Sequence, residues 1–451
     1  MKTFKIIFFR LMLVSFLFLL FSQTSFPQNK KDWSLADCIN YGMSHNLGLK
    51  INQNSGEKQD LDYKQSKWQL APSINGWGNG NLNLRRSTDQ NNQISSGNSY
   101  SMSYGLTASL NLFSGLSRIN RISAMKFNSL AYNETTKQQE NILYLDIVKL
   151  FSQTIFDKQQ VSIAEEQLQL SLKEQEKIES KVSLGLLGSS SLDEIKATVS
   201  GNQYTLGKQI NSFNLSLLNL MQLIDLPDTS DFNLSGFEFE LVVPSEKKFT
   251  VEEVYQLACE NLPDLKEKEY RLTYYKKILS AYQGQKLPSL SVEGNYYSQF
   301  YSTDTLSNGA KTPVGDQFNN YLNPSVGLSL NIPIFNKRAT EFQVKKSKID
   351  IENAVLELEQ QKKEIYNEIQ NAIQLFNSCY LEYVNASDNL KYVEKSFEIY
   401  KEKYSLGLLN STDFITAQNQ LLQSKTNVLS AKYNWILQEK MIRLYSGYKE
   451  F

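Results

Sequence analysis

The sequence predicts a mixed α and β membrane protein in which one unit occurs twice: helix, β-hairpin, very long helix, returning helix. Three observations predict it. SLGLL stands at Ser183–Leu187 and again at Ser405–Leu409, within the longer matches KVSLGLLGSSS from Lys181 and KYSLGLLNSTD from Lys403. Ahead of each long helix, apolar and polar residues alternate with period two, the pattern of strands with two unlike faces. Two stretches, Leu116–Val182 and Asn336–Leu406, contain neither Gly nor Pro, and a helix over the first would be about 100 Å long at 1.5 Å per residue.

The chain opens with Lys2, Lys5 and Arg10 ahead of an apolar run from Leu11 to Phe21, followed by small polar residues. This reads as a signal peptide over residues 1–28, too short to span a bilayer, cleaved between Ser22 and Gln28. The first cysteine, Cys38, lies well past the apolar run, so no lipid-modified N-terminus is expected. With 47 basic and 47 acidic residues the chain has no bias toward nucleic acid, and loss of the leader leaves it mildly acidic. Cys38, Cys259 and Cys379 are odd in number and unmatched between the halves, which argues against a disulfide framework. His45 is the only histidine, so there is no material for a His-rich metal site or a Ser/His/Asp triad. No cofactor, metal or catalytic residue is expected.

The first repeat covers residues 29–224 and the second 250–451, joined by a linker at 225–249 that holds Pro227 and Pro244. SLADCINYGMSHNLGLK from Ser34 matches TVEEVYQLACENLPDLK from Thr250 as the opening helices of the two repeats. The barrel hairpins follow at about 72–113 and 288–335. Even positions from Met102 to Leu112 are apolar or aromatic and the odd ones are Ser, Gly, Thr or Asn, and Ser325–Ile332 repeats the alternation. Trp77, Tyr100, Tyr104, Tyr296, Tyr297, Phe300, Tyr301 and Tyr321 flank the strands as an interfacial girdle would. Polar stretches such as STDQNNQISSGNS read as long outward loops, and extra residues of the second repeat fall between Tyr301 and Tyr321. Four strands cannot close a barrel, and an open edge in lipid leaves N–H and C=O groups unpaired, so the chain must oligomerise. A dimer would give a filled barrel and a trimer one with room for a lumen.

Long helices are expected over 116–182 and 339–406, with returning helices over 189–224 and 411–446. In the second long helix Ile365, Ile369, Ala372, Phe376, Cys379, Tyr383, Ala386, Leu390, Val393, Phe397, Tyr400 and Tyr404 follow at steps of four and three, a coiled-coil seam. Apolar residues off the seam, such as Ile373 and Leu375, suit a curved wall of helices. The seam of the first long helix runs through Leu143, Ile147, Leu150, Val161, Ala164 and Leu168, interrupted by Thr154 and Asp157. At the turns, Gly185 and Gly407 are placed to end a helix in the left-handed conformation, and Ser189–Ser191 or Ser411–Asp413 to cap the returning one. Leu186, Leu187, Leu408 and Leu409 would be apolar residues on an exposed turn, which suggests docking. Asp193 and Glu194 at a helix start read as solvated caps, not as catalytic carboxylates.

These residues together make the chain resemble the TolC-like outer-membrane efflux proteins: the duplicated order of elements, the two Gly/Pro-free helices, LNLMQLIDLP closing the first half, and the paired SLGLL turns. The resemblance implies a homotrimer with a twelve-strand barrel in outer-membrane lipid above a periplasmic helical tunnel. It implies tips at Gly185, Leu186, Leu187, Gly407, Leu408 and Leu409 that meet a periplasmic adaptor of an inner-membrane transporter. Asp413 matches the first aspartate of the family's constriction ring, the second being replaced by Thr416, while Glu194 sits at the corresponding turn of the first half. Three carboxylates around a narrow mouth would favour cations. Tyr404 matches a tyrosine that holds the tips closed, but its acidic and arginine partners map to Ser191 and Leu409, so the locking contacts must differ. The expected function is a passive exit duct of a tripartite efflux or type I secretion system. The alternative is a trimeric coiled-coil surface adhesin or stalk, which explains the heptads but not the returning helices.

Overall fold

The computed structural model describes residues 32–88, 94–227, 232–235, 242–304, 306 and 310–448, and the expected signal peptide lies outside them. In the first half helices α1 (Leu35–His45) and α2 (Leu47–Trp68) lead to strands β1 (Ser73–Thr88) and β2 (Ile94–Ser114), then to helices α3 (Ser117–Ser183) and α4 (Ser189–Leu223). The second half runs α5 (Val251–Asn261), α6 (Pro263–Gly284), β3 (Ser289–Tyr301), α7 (Val314–Asn320), β4 (Asn323–Asn331), α8 (Ala339–Ser405) and α9 (Ser411–Tyr445). Both long helices have 67 residues and both returning helices 35, so the duplication holds to the residue in the helical part.

Local chemistry accounts for the ends of these elements. Ser34 and Asp37 form a capping box that satisfies two N–H groups at the start of α1, and Thr250 accepts from Glu253 N–H at the matching start of α5. Pro263 sits in the first turn of α6, where its missing N–H costs nothing. Each strand-to-long-helix junction is a pair of left-handed residues, Gly115 and Leu116 in one half, Lys337 and Arg338 in the other. A Cβ on Gly115 would lie 2.1 Å from Gly284 O, so glycine is demanded there by space as well as by φ.

The strands form one antiparallel sheet in the order β1-β2-β3-β4, leaving β1 and β4 as open edges. The register sorts side chains by face. Ile74, Ala108 and Val326 lie in one row, Leu106 and Tyr296 in another, and Leu110, Val292 and Leu328 in a third, all on the apolar face. Ser, Asn, Thr and Gln dominate the opposite face. Tyr100, Tyr104, Tyr296 and Phe300 share the apolar face, as a girdle requires, but Trp77, Tyr297 and Tyr301 stand on the polar one. The period-two pattern in β1 is blurred by Gly76, Gly78 and Gly80, so only cross-strand pairing assigns those aromatics.

Two connections differ from expectation. The first hairpin continues into the polar stretch read as a loop, with pairing from Arg85↔Gly97 out to Thr88↔Ile94, because backbone pairing needs no apolar alternation. In the second hairpin the extra residues form α7, which folds back on the apolar face. Phe318 meets Tyr104 edge-on at 5.1 Å and Phe300 at 6.2 Å, and Ser298 Oγ donates to Phe318 O at 2.6 Å.

Each long helix packs against its returning helix toward the tips, and α6 lies against both α3 and α8. The main core sits where these pairs meet α1, α5 and the linker. Cys38, Ile39, Ile147, Phe151, Ile155, Leu220, Leu234, Ala258, Ile369, Phe376, Trp435 and Ile442 are all buried in it. Phe376 touches Phe249 at 5.3 Å and Trp435 at 5.2 Å. Burial, with Asp37 beside it, pushes the Cys38 thiol up to about 12, and burial likewise raises that of Cys379, as expected of packing cysteines. No described helix is long and apolar enough to cross a membrane.

The α3 seam is not interrupted. Ile147, Phe151, Thr154, Asp157, Gln160, Ala164, Gln167, Ser171, Glu174 and Ile178 are all buried and succeed one another at steps of three and four. Thr154 and Asp157 belong to this track, whereas Leu150, Val161 and Leu168 are only half-buried beside it.

Candidate functional site: the helical tips

Both long helices end in the same turn. Gly185, φ 74°, donates to Val182 O at 3.0 Å while Leu186 N–H reaches Lys181 O at 2.9 Å; Gly407, φ 75°, and Leu408 repeat this on Tyr404 O and Lys403 O. These are Schellman motifs, and their left-handed residue is the reason for glycine. A Cβ on either glycine would meet nothing within 4 Å, so the demand is conformational alone. Leu186 is 68% exposed and Leu408 73%, while Leu187 is partly covered and Leu409 is half-buried. Leu184 and Leu406 are as exposed as these and belong to the same apolar cap, which sequence reasoning missed. Their place beside each tip glycine was the available signal.

The returning helices are capped by the residues before the expected ones. Gly188 is the N-cap of α4 and makes no side-chain cap bond; Asn410 caps α9, its Oδ1 accepting from Asp413 N–H at 2.8 Å. Ser189–Ser191 and Ser411–Asp413 are already helical, because the chain turns one residue earlier. Asp413 is therefore no N-cap. It lies in the first turn of α9, with Oδ2 accepting from Asn410 Nδ2 at 2.9 Å.

Glu194 is not a solvated cap either. It reaches from α4 to the start of α9, accepting from Ser411 Oγ at 3.0 Å and Thr412 Oγ1 at 2.7 Å. A carboxylate at a helix N-terminus is favoured by the unpaired N–H groups there. Tyr404 makes the second tie between hairpins, donating to Glu174 Oε1 at 2.7 Å, while its ring stacks on Phe414 at 4.5 Å and Phe414 stacks on Phe397 at 5.7 Å. Burial, then the bond to Glu174, then the charges of Glu174 and Glu194 hold the Tyr404 hydroxyl well above its ordinary value. Further up, Lys425 pairs with Glu166 at 3.0 Å and Thr426 donates to Gln160 at 3.3 Å. The structure thus brings Glu194 and Tyr404 into one seam between the hairpins, and turns Asp413 toward Asn410. A groove of about 1420 Å³ opens along this seam, lined among others by Lys173, Lys177, Lys181, Glu398 and Glu402. Among the described residues, no cluster of three or more His, Cys, Asp or Glu could hold a metal ion.

The chain thus sets a four-stranded sheet with two open edges on two paired helical hairpins. Residues 254–448 match the sequence profile of the family described as outer membrane efflux protein. The "Toxin and drug export protein A" of Aggregatibacter actinomycetemcomitans is 25% identical over 40% of this chain, a match that spans only 37% of that relative's length. An uncharacterized protein of Haemophilus influenzae is 21% identical over 83% of this chain and 78% of its own. Among solved structures, CusC aligns with TM-score 0.78 at 18% identity over 94% of this chain and 96% of its own. The CmeC outer-membrane channel of Campylobacter jejuni aligns with TM-score 0.77 at 17% identity, covering 94% of this chain and 88% of that one. The family match thus lies within the second repeat, and the fold over nearly the whole length is that of the solved outer-membrane channels. Proteins of this family work as trimeric channels together with an adaptor and an inner-membrane pump, and are not enzymes.

Proposed function

We propose that three copies of this chain form a passive exit duct, with a twelve-strand barrel in the outer membrane and a helical tunnel below it, for a tripartite efflux or type I secretion system. The observation that carries the proposal is the pair of open strand edges, β1 and β4, on a sheet with one apolar and one polar face. In lipid those edges need partners, and three copies joined β4 to β1 supply them with no edge left over. Each copy contributes two units, residues 29–224 and 250–451, with 225–249 as the link.

The tips at Gly185, Leu186, Leu187, Gly407, Leu408 and Leu409 dock to a periplasmic adaptor, which joins the duct to an inner-membrane transporter. Tyr404 and Glu194 hold the tip seam closed, and Asp413 with Glu194 supplies the acidic constriction at the mouth. The test has two readouts. Purified full-length protein should run as a trimer and conduct in a planar bilayer, and a non-conducting monomer ends the proposal. Leu186→Glu and Leu408→Glu should abolish crosslinking to the adaptor while leaving trimers intact, and unchanged crosslinking removes the docking role.

A further inference from the structure

The four helices that adjoin the sheet lie in the order α2, α3, α6, α8, the order of the strands they join, and all four meet it at the same end. At that end apolar side chains run out and basic ones begin. Leu330, Ile332, Ile334 and Phe335 are all exposed, and Lys337 and Arg338 follow directly. Residues 58–72, 115–127, 274–288 and 332–349, which are the connections and about three turns of each helix, hold fourteen Lys or Arg against three acidic residues, Asp60, Asp62 and Glu341. The whole chain has 47 of each sign, so the excess is local. A basic belt just past an apolar surface suits the level of lipid phosphates.

Within the belt a groove of about 380 Å³ lies between α6 and α8, lined among others by Tyr274, Tyr275 and Tyr282 on one side and by Lys346, Ile349 and Asp350 on the other. It is peculiar to the second half. When the helices of the two halves are matched residue for residue, the equivalent crossing of α2 and α3 is tied shut: Asn128 Nδ2 donates to Gln59 Oε1 at 2.6 Å, and Ser129 donates to Asp60. Tyr275 stands in the place of Gln59 and Asp350 in that of Asn128, and no hydrogen bond joins them among the described residues.

Lys346 lies near the start of α8, and Asp350 is one turn farther from the sheet, about 6 Å at 1.5 Å per residue. They make no ion pair with each other. Neither their charged groups nor the hydroxyls of the three tyrosines have a partner among the described residues. A cation toward the bilayer and a carboxylate away from it complement a phosphoethanolamine headgroup, whose phosphate comes first and whose ammonium lies beyond it. Tyrosine faces attract an ammonium as well.

We propose that this groove seats the headgroup of a phosphatidylethanolamine lipid, with the phosphate on Lys346 and the tyrosine hydroxyls and the ammonium on Asp350 and a tyrosine face. The proposal rests on the channel reading above, which puts the sheet in a bilayer and this belt at the bilayer's helical side. It adds one bound lipid per chain.

The test is native mass spectrometry of the purified full-length protein in detergent, with phosphatidylethanolamine, phosphatidylcholine or phosphatidylglycerol of identical acyl chains added. One phosphatidylethanolamine per chain should be retained at concentrations where the other two are lost, because choline has no N–H to donate to Asp350 and glycerol brings it no charge. Lys346→Gln and Asp350→Asn should each raise the half-saturating concentration roughly tenfold, the scale of one lost hydrogen bond to a charged group. Lys348→Gln, in the same belt but outside the groove, should change nothing. Equal retention of the three lipids, or binding unchanged in both groove variants, overturns the inference. So does equal competition by free phosphoethanolamine, which would make the occupant a soluble molecule. A variant that fails to assemble passes the decision to the other variant and to the three-lipid comparison on the unaltered protein. Planar-bilayer recording of the same preparation tests the channel reading separately, and protein that opens no pore overturns that reading whatever lipid it retains.

Discussion

The two long helices have the same length and each packs on its own returning helix, but only α3 also meets the returning helix of the other half, and the tip halves bury different chemistry. On α3 the buried track passes through Gln160, Gln167, Ser171 and Glu174; on α8 it reaches Phe397, with Tyr404 and Phe414 stacked beyond it. A duplicated scaffold therefore does not imply a duplicated seam. The polar track is joined to the partner hairpin at Gln160 and Glu174, by hydrogen bonds to single atoms that fix position closely and fail when one partner changes. The apolar track is joined by area, which tolerates sliding. The two tracks meet where Tyr404 donates to Glu174, so the seam between the hairpins combines both kinds of contact.

The sharpest way to break the comparison lies in the shared core, where both halves depend on packing. Phe376→Ala, between Phe249 and Trp435, should cost about 3–5 kcal/mol, read as a loss of stability in thermal or denaturant unfolding. If it costs no more than a surface substitution, the core is not where the halves are joined.

Next in size is the tie at the tips. Glu174→Ala removes the acceptor of the Tyr404 hydroxyl and should cost about 1–3 kcal/mol, with raised single-channel conductance as the functional readout. The sign of its pH dependence follows from the raised pKa of Tyr404. Below the ordinary value of 10.0 the hydroxyl is protonated in folded and unfolded chains alike and the contact is fully present. As pH rises beyond 10.0 the unfolded chain loses the proton first, so stability falls until the folded hydroxyl titrates as well. Tyr404→Phe should remove this alkaline loss, and conductance measured from pH 8 upward distinguishes the two proteins.

A smaller effect of opposite sign tests the polar track itself. Gln167 Nε2 is buried and has no hydrogen-bond partner among the described residues. Gln167→Leu should therefore stabilise the protein by about 1 kcal/mol, and a destabilised variant would mean that the polar track is held by more than the bonds named above. Smallest is the difference between the caps. Asn410→Ala should cost about 1 kcal/mol, whereas Gly188→Asn should gain a few tenths, because α4 begins with no side-chain cap to lose. Equal effects on the two tips would remove the asymmetry.

Much of the fold was legible because it rests on short-range rules. Period-two alternation, long runs without Gly or Pro, and paired SLGLL turns each constrain the backbone within a few residues of themselves, and together they specify two copies of one unit. The α8 seam was legible for the same reason, since its heptad positions are mostly apolar. The α3 seam was hidden because Gln160, Gln167, Ser171 and Glu174 look like surface residues until another helix covers them. At the tips, the sequence pointed to the glycines, the leucines, Tyr404 and Glu194, but could not supply the partners Glu174, Ser411 and Thr412.

By itself, then, the amino-acid order determined the class, the duplication and the places where the chain must turn. Only the tertiary structure decided which aromatics look into the polar face, which carboxylate meets which hydroxyl, and where α7 folds back. Backbone preferences act on neighbours in sequence, while facing and pairing depend on residues hundreds of positions apart, as Tyr404 on Glu174 and Glu194 on Thr412 show.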